Sequence, residues 1–203
     1  MSDFRQAKLH GISKVGVLFL TLSFLTWCGY IAYWLTLLDK TENFLAAFAS
    51  IWSTAMLASV AISPLVYIEL FNAQARENIG GVLVGSIVIL GCLVYDNLEE
   101  ILSAAHGEIA SQDMLLQLVS QFVVPFITVV AALTSCRPLA IIGAILCIPA
   151  AIYDVQTSQM LNEIFDLQGT EVENTFYSIA LGAVILQDIG LFFGLLGIRK
   201  VGR

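Results

Sequence analysis

An amide and a carboxylate, Gln187 and Asp188, lie in the middle of the apolar stretch GAVILQDIGLFFGLLGIRK at residues 182–200. Asp188 precedes Arg199 by eleven residues, which is about 16 Å along a helix axis. That distance places it near the centre of a hydrocarbon core about 30 Å thick. Acidic residues at this depth are costly, and they mark ion pathways and proton relays in membrane proteins. Gln187 and Asp188 are therefore the first candidates for chemistry in this chain, as a proton or cation relay.

Three hypotheses account for Asp188. In the first, it is a neutral carboxylic acid that bonds to a polar group such as Thr26, Ser86 or Gln121. In the second, it passes protons or cations in a transporter or channel. In the third, it contacts a basic or polar group of a partner subunit. All three place the side chain away from lipid.

Two pairs of glycines predict close helix packing. Gly81 and Gly85 are four residues apart, and so are Gly190 and Gly194. Small residues at this spacing let two helix backbones approach each other in a membrane. At about 100° per residue, Asp188 falls on the side of its helix away from Gly190 and Gly194. The glycine side is expected to pack on one neighbour while Asp188 faces a second neighbour, a water-filled cavity or another subunit.

Two Tyr-Asp pairs end similar segments of the chain, GSIVILGCLVYD and GAILCIPAAIYD. Tyr95 with Asp96, and Tyr153 with Asp154, are candidates for the outer mouth of a transport path. The alternative is an aromatic belt at the membrane surface with its polar neighbours in water.

The composition indicates the elements that must position these residues. The 203-residue chain is 58% hydrophobic and 12% charged, with a mean hydropathy of +0.86, whereas soluble domains carry about 25% charged residues. Six segments are apolar over about the length that a bilayer requires. They predict an all-α, polytopic membrane protein, a single domain of six transmembrane helices, with spans at about 13–38, 44–70, 79–98, 114–134, 138–157 and 175–198.

Two connections on one side of the predicted bundle have an amphipathic pattern. Apolar residues recur at helical spacing after the third span, around Leu98 and Leu102, and after the fifth, around Leu161 and Phe165. We predict two short amphipathic interfacial helices, or alternatively outward continuations of these spans.

Charge predicts the orientation. Eight of the nine basic residues fall on the side of both termini, and only Lys40 falls on the other. Because basic flanks stay in the cytoplasm, both termini are expected inside, in a plasma or inner membrane. Twelve of the 16 acidic residues lie on the opposite face, which is either a solvated surface or a vestibule that attracts cations or a basic partner. Nucleic acid is not expected as a partner of this face.

Several classes of function are not supported by the sequence. It contains no HExxH, GxSxG, P-loop or GxGxxG motif, so no catalytic residue is assigned and an enzyme is disfavoured. Its two histidines, His10 and His106, lie outside the spans, so no metal site or cofactor is predicted. Two hypotheses remain. One is a small homo-oligomeric transporter or channel for protons or cations, and the other is a non-catalytic membrane subunit of a larger complex, such as a secretion or respiratory assembly.

Overall fold

The structure is a computed structural model that describes residues 11–38, 61–96, 102, 106, 112–166 and 171–198. These residues are helical apart from short turns, and none of them forms a strand. Six main helices carry them, which is the number that the sequence predicts. They are α1 (Gly11–Leu38), α2 (the helical residues 61–75), α3 (Ile79–Asp96), α4 (Gln112–Leu118, a π-helical segment Val119–Val123, then Val124–Thr134), α5 (Arg137–Asp166) and α6 (Glu171–Leu196).

Four of these helices contain stretches long and apolar enough to cross a membrane. The stretches are Ile12–Tyr33, Leu115–Thr134, Arg137–Gln156 and Ser178–Leu196, and a shorter apolar stretch covers Ile79–Val94. Each falls within a few residues of a predicted span. Of the predicted second span, residues 44–60 lie outside the described residues. The described composition and helix lengths thus suggest a membrane protein.

Tight turns join neighbouring helices. Glu77, with φ of 57°, breaks the chain between α2 and α3, and the Asn78 side chain then caps α3 by accepting a hydrogen bond from Gly81 N–H at 3.1 Å. Ser135, with φ of 49°, ends α4 in the left-handed conformation just before α5 begins. Such short connections make α2 and α3, and likewise α4 and α5, antiparallel neighbours.

The predicted interfacial helices have different outcomes. Most of the first lies outside the described residues, which retain only Leu102 and His106, joined by a hydrogen bond from His106 N–H to Leu102 O of 3.1 Å. The second is not a separate helix, because α5 continues unbroken from Arg137 to Asp166. Of the two predicted alternatives, the structure agrees with a helix that continues past the fifth predicted span. A helix of 30 residues is about 45 Å long, which exceeds the thickness of a hydrocarbon core, about 30 Å.

Helix α6 occupies the centre of the packing, with α1 and α5 as its main neighbours. Buried hydroxyl groups in this region donate to helix carbonyls, for example Ser23 Oγ to Ala183 O at 2.7 Å and Thr128 Oγ1 to Val124 O at 2.8 Å. Among the described residues, Asp188 is the one acidic or basic side chain that is buried. These buried hydroxyl groups thus have carbonyl oxygens as hydrogen-bond acceptors. The burial of the Asp188 carboxyl group is the feature that still requires a physical explanation.

Candidate functional site

A cavity of about 390 Å³ lies between five of the six helices. Its wall is mostly apolar, but each of the helices α2, α4, α5 and α6 contributes at least one polar group. Those polar residues are Ser63, Tyr67, Ser120, Gln121, Asp154, Gln187 and Asp188. The cavity therefore gathers, in one place, polar side chains that are far apart in the sequence.

Two carboxyl groups meet in this cavity. Asp188 of α6 and Asp154 of α5 both line it, although they are 34 residues apart in the sequence. Asp188 is 7% exposed. A carboxylate is an acceptor only, so two carboxyl groups can bond to each other only when at least one carries a proton. The arrangement is thus an acid pair, two carboxyl groups from different helices in one cavity.

The two acids have different surroundings. Ser120 Oγ lies 3.1 Å from Asp154 Oδ1 and 3.2 Å from Oδ2, so its hydroxyl group can donate to either oxygen of that carboxyl group. Asp188 Oδ2 is buried, and no group of the described residues donates a hydrogen bond to it. A buried oxygen without a donor is unfavourable. Asp188 is therefore the member of the pair that has an unfilled bonding position.

The partners that the first hypothesis suggests for Asp188 are mostly engaged elsewhere. Thr26 Oγ1 donates to Leu22 O at 2.9 Å, and Ser86 Oγ donates to Val82 O at 2.7 Å. Gln121 lines the same cavity as Asp188. The acidic neighbour that the structure supplies is Asp154.

The π-helical segment of α4 brings Ser120 and Gln121 to the cavity. Pro125 has no N–H group to donate to the carbonyl of Gln121, and its ring would clash with that carbonyl in a regular helix. The chain instead widens over Val119–Val123, where Val124 N–H bonds to Val119 O, five residues back. Single π turns of this kind are frequent at functional sites.

Gln187, the neighbour of Asp188, also has a partner in the cavity. Ser63 Oγ of α2 donates to Gln187 Oε1 at 3.0 Å. This bond ties α2 to α6 at the level of the acid pair. Both members of the Gln-Asp pair thus make contact with another helix.

Gly190 and Gly194 of α6 lie on its contact with α1 and α2. A Cβ atom built on Gly190 would lie 2.6 Å from Leu20 Cγ of α1, and one built on Gly194 would lie 2.6 Å from Phe71 Cζ of α2. Gly16 of α1 is equally close, since its Cβ would lie 2.5 Å from Gly194 N. Helix α6 therefore presents Gly190 and Gly194 to close neighbours and Asp188 to the cavity.

The other glycine pair lies on the contact between α2 and α3. A Cβ atom on Gly81 would lie 3.0 Å from Ala73 Cβ, and one on Gly85 would lie 3.5 Å from Leu70 Cδ1. These distances are less restrictive than those of α6. The α2–α3 hairpin is the second place where glycines face a neighbouring helix.

The four residues assigned to the outer mouth lie on two helices, α3 and α5. Tyr95 and Asp96 are the last two residues of α3, and Tyr153 is half-buried in α5. Asp154 lines the cavity together with Asp188. The assignment of these four residues to an outer mouth stays a prediction.

Sequence reasoning did not assign Ser63, Tyr67 and Ser120 to the site. A signal existed for Ser120, because Ser120 and Gln121 are adjacent polar residues inside an apolar segment and precede Pro125 by about one turn. The pairing of Asp154 with Asp188 had no comparable signal. It depends on the relative height of two helices.

Comparisons with protein-family models, with curated proteins and with solved structures find no match for this chain. In the described part of the chain, no group of three or more His, Cys, Asp or Glu residues is placed to hold a metal ion. The functional argument therefore depends on the chemistry of the cavity itself.

Proposed function

We propose that this protein is an integral membrane protein that transports protons, alone or coupled to a small cation, through the cavity lined by Asp154 and Asp188. The observation that carries the proposal is the acid pair, two carboxyl groups that line one cavity inside a largely apolar bundle. Ionisable groups inside membrane helices are costly, and they are characteristic of proton relays in pumps and transporters. The pair exchanges a proton between α5 and α6, and Ser120 extends the bonded chain to α4.

The outer surface of the bundle supports a lipid environment. Large apolar side chains on α1, α3 and α5 point away from the protein with more than half of their area exposed; examples are Leu18, Leu25, Val84, Ile87 and Ile145. Soluble monomers rarely expose a contiguous apolar surface on this scale. In a bilayer the same side chains contact lipid, and the polar groups face the cavity.

We further propose that both termini and the turn between α4 and α5 lie in the cytoplasm, as the distribution of basic residues indicates. Cys136 lies in that turn and is partly exposed. In sealed right-side-out membrane vesicles, a membrane-impermeant maleimide should label Cys136 only after the vesicles are permeabilised. The Cys136→Ser variant should not be labelled in that step. Labelling of Cys136 in intact vesicles would place this turn outside the cell and the acidic face in the cytoplasm.

A flux assay tests the transport proposal. Full-length protein is reconstituted into liposomes, and the internal pH is followed with a trapped dye under two driving forces, a potassium diffusion potential and an opposing gradient of sodium or potassium. Wild-type protein should move protons faster than empty liposomes under at least one of them. Asp188→Asn keeps the shape of the side chain but removes its titratable proton, so flux should fall to the level of the empty liposomes.

Glu69→Gln is the matched control, because Glu69 of α2 is exposed and does not line the cavity. This variant should retain wild-type flux. If folded wild-type protein moves no protons under either driving force, the transport proposal is incorrect. That outcome favours the alternative of a non-catalytic membrane subunit, whose partners would then be sought by weighing the intact particle from native membranes.

A further inference from the structure

The cavity is much larger than a proton path requires. Its volume is about 390 Å³, whereas the share of one water molecule in the liquid is about 30 Å³. Pockets that bind small organic molecules have volumes of about 300–1,000 Å³. The size of the cavity therefore fits a small organic ligand.

The wall of the cavity favours a ligand with apolar groups. Aliphatic side chains of three helices line it, among them Ile62 and Val66 of α2, Ile89 and Leu93 of α3, and Leu191 of α6. Tyr67 is the one aromatic residue among its described lining residues and is 3% exposed. A mostly apolar wall with a few polar groups is typical of sites for small organic ligands. It does not suit a bare Ca²⁺ or Mg²⁺ ion, which requires about six or more oxygen ligands.

The charge of the cavity favours a cation. Among the described residues, two carboxyl groups line it, and none of the lining residues is Lys, Arg or His. Asp188 Oδ2 is buried in this wall, and no group in the described part of the chain donates a hydrogen bond to it. An ammonium group placed there would supply the missing partner, and an anion would be repelled when either acid is ionised.

From this geometry we infer that the cavity binds one small monovalent organic cation with apolar substituents, such as an alkylammonium or benzylammonium ion, in exchange for one proton of the Asp154–Asp188 pair. The inference rests on the proposed transport function and identifies its substrate class. The charges balance as follows. With both carboxyl groups protonated the pair is neutral, and on binding of the cation one O–H bond breaks and its proton goes to water. The remaining carboxylate and the ligand then neutralise each other.

The other titratable groups near the pair are not the source of the exchanged proton. Tyr67 of α2 and Cys92 of α3 line the cavity, and Cys147 of α5 is buried close enough to interact with Asp188. Phenol and thiol groups are much weaker acids than carboxyl groups. Helix α4 contributes Ser120, Gln121 and Pro125, which carry no charge, and α1 packs on the glycine side of α6. The exchanged proton is thus assigned to the acid pair.

Titration calorimetry of the full-length protein in detergent tests the inference, with benzylammonium chloride as the probe. The titrations are done below about pH 8, where a primary amine stays protonated, so any pH dependence of binding reports groups of the protein. Saturable binding of one cation per chain is expected. Repeating the titration in two buffers of different ionisation enthalpy should show the release of about one proton, and affinity should fall about tenfold for each lower pH unit where the pair is protonated. Sodium chloride at the same concentration should give no comparable signal.

Two variants are used, so that the test still works if one of them does not fold. Asp188→Asn removes the exchanged proton and should abolish binding. Val184→Phe fills part of the cavity but leaves both acids in place, and it should weaken binding at least about tenfold. Glu69→Gln should bind like the wild type.

The outcomes separate the inference from the transport proposal. Absence of saturable binding in wild-type protein that moves protons in liposomes would overturn the inference and leave proton transport intact. Binding that releases no proton and persists in Asp188→Asn would also overturn it, because the cation would then be held by apolar contact alone. Binding with proton release in a protein that shows no flux would support the site and contradict transport.

Discussion

Replacement of Gly194 by leucine should prevent the protein from folding into a stable bundle. A Cβ atom at this position would lie 2.6 Å from Cζ and 2.8 Å from Cδ2 of Phe71. The Phe71 ring is 2% exposed. On another side, Gly16 of α1 approaches the backbone of Gly194 directly. We expect a loss of about 3 kcal/mol, the upper end of the usual cost of overpacking, because a leucine side chain would overlap the buried ring beside a close helix contact.

Gly182→Leu is the matched control on the same helix. In the described part of the chain, no atom outside the adjoining turns of α6 lies within 4 Å of a Cβ built on Gly182, and leucine has a higher helix propensity than glycine by about 0.8 kcal/mol. This variant should therefore be as stable as the wild type. The measurement is thermal unfolding in detergent, with size-exclusion chromatography to monitor monodispersity. Equal stability of both variants would show that α1, α2 and α6 do not meet at Gly194.

The second large effect concerns the acid pair, whose members should act as one unit. Asp154→Asn and Asp188→Asn each remove one carboxyl group of the acid pair. Each should lower proton flux at least about 100-fold, the scale on which a positioned proton-transfer group contributes. A single remaining acid has no partner with which to exchange a proton. The proton flux of the double variant should therefore be at most about threefold lower than that of either single variant.

A double-mutant cycle in the liposome assay measures this coupling. If the two acids worked independently, the effects of the single variants would multiply, and the double variant would lose about 10,000-fold. Detecting such a loss requires a wild-type flux well above the leak of empty liposomes. Multiplicative effects would contradict a shared proton, and normal flux in Asp154→Asn would remove Asp154 from the path. Glu69→Gln again controls for the loss of a carboxylate elsewhere.

The positions of the helices along the chain could be predicted from the sequence because they depend on local properties. The length of an apolar run decides whether a segment is long enough to cross a membrane. Helical periodicity likewise separates Gly190 and Gly194 from Asp188 around the axis of α6. These features require only the sequence neighbours of each residue.

The site itself was decided by the tertiary structure. Periodicity gives the face on which Asp154 lies but not its height relative to Asp188, because the relative height of two helices depends on how their side chains pack. The π turn before Pro125 forms because proline has no N–H group to donate. Ser120 lies in this turn, and its hydroxyl group bonds to Asp154. The sequence by itself determined which segments are helices and which face of α6 is acidic. Only the packing of the helices decided that two acids share one cavity, since depth and mutual rotation are properties of pairs of helices.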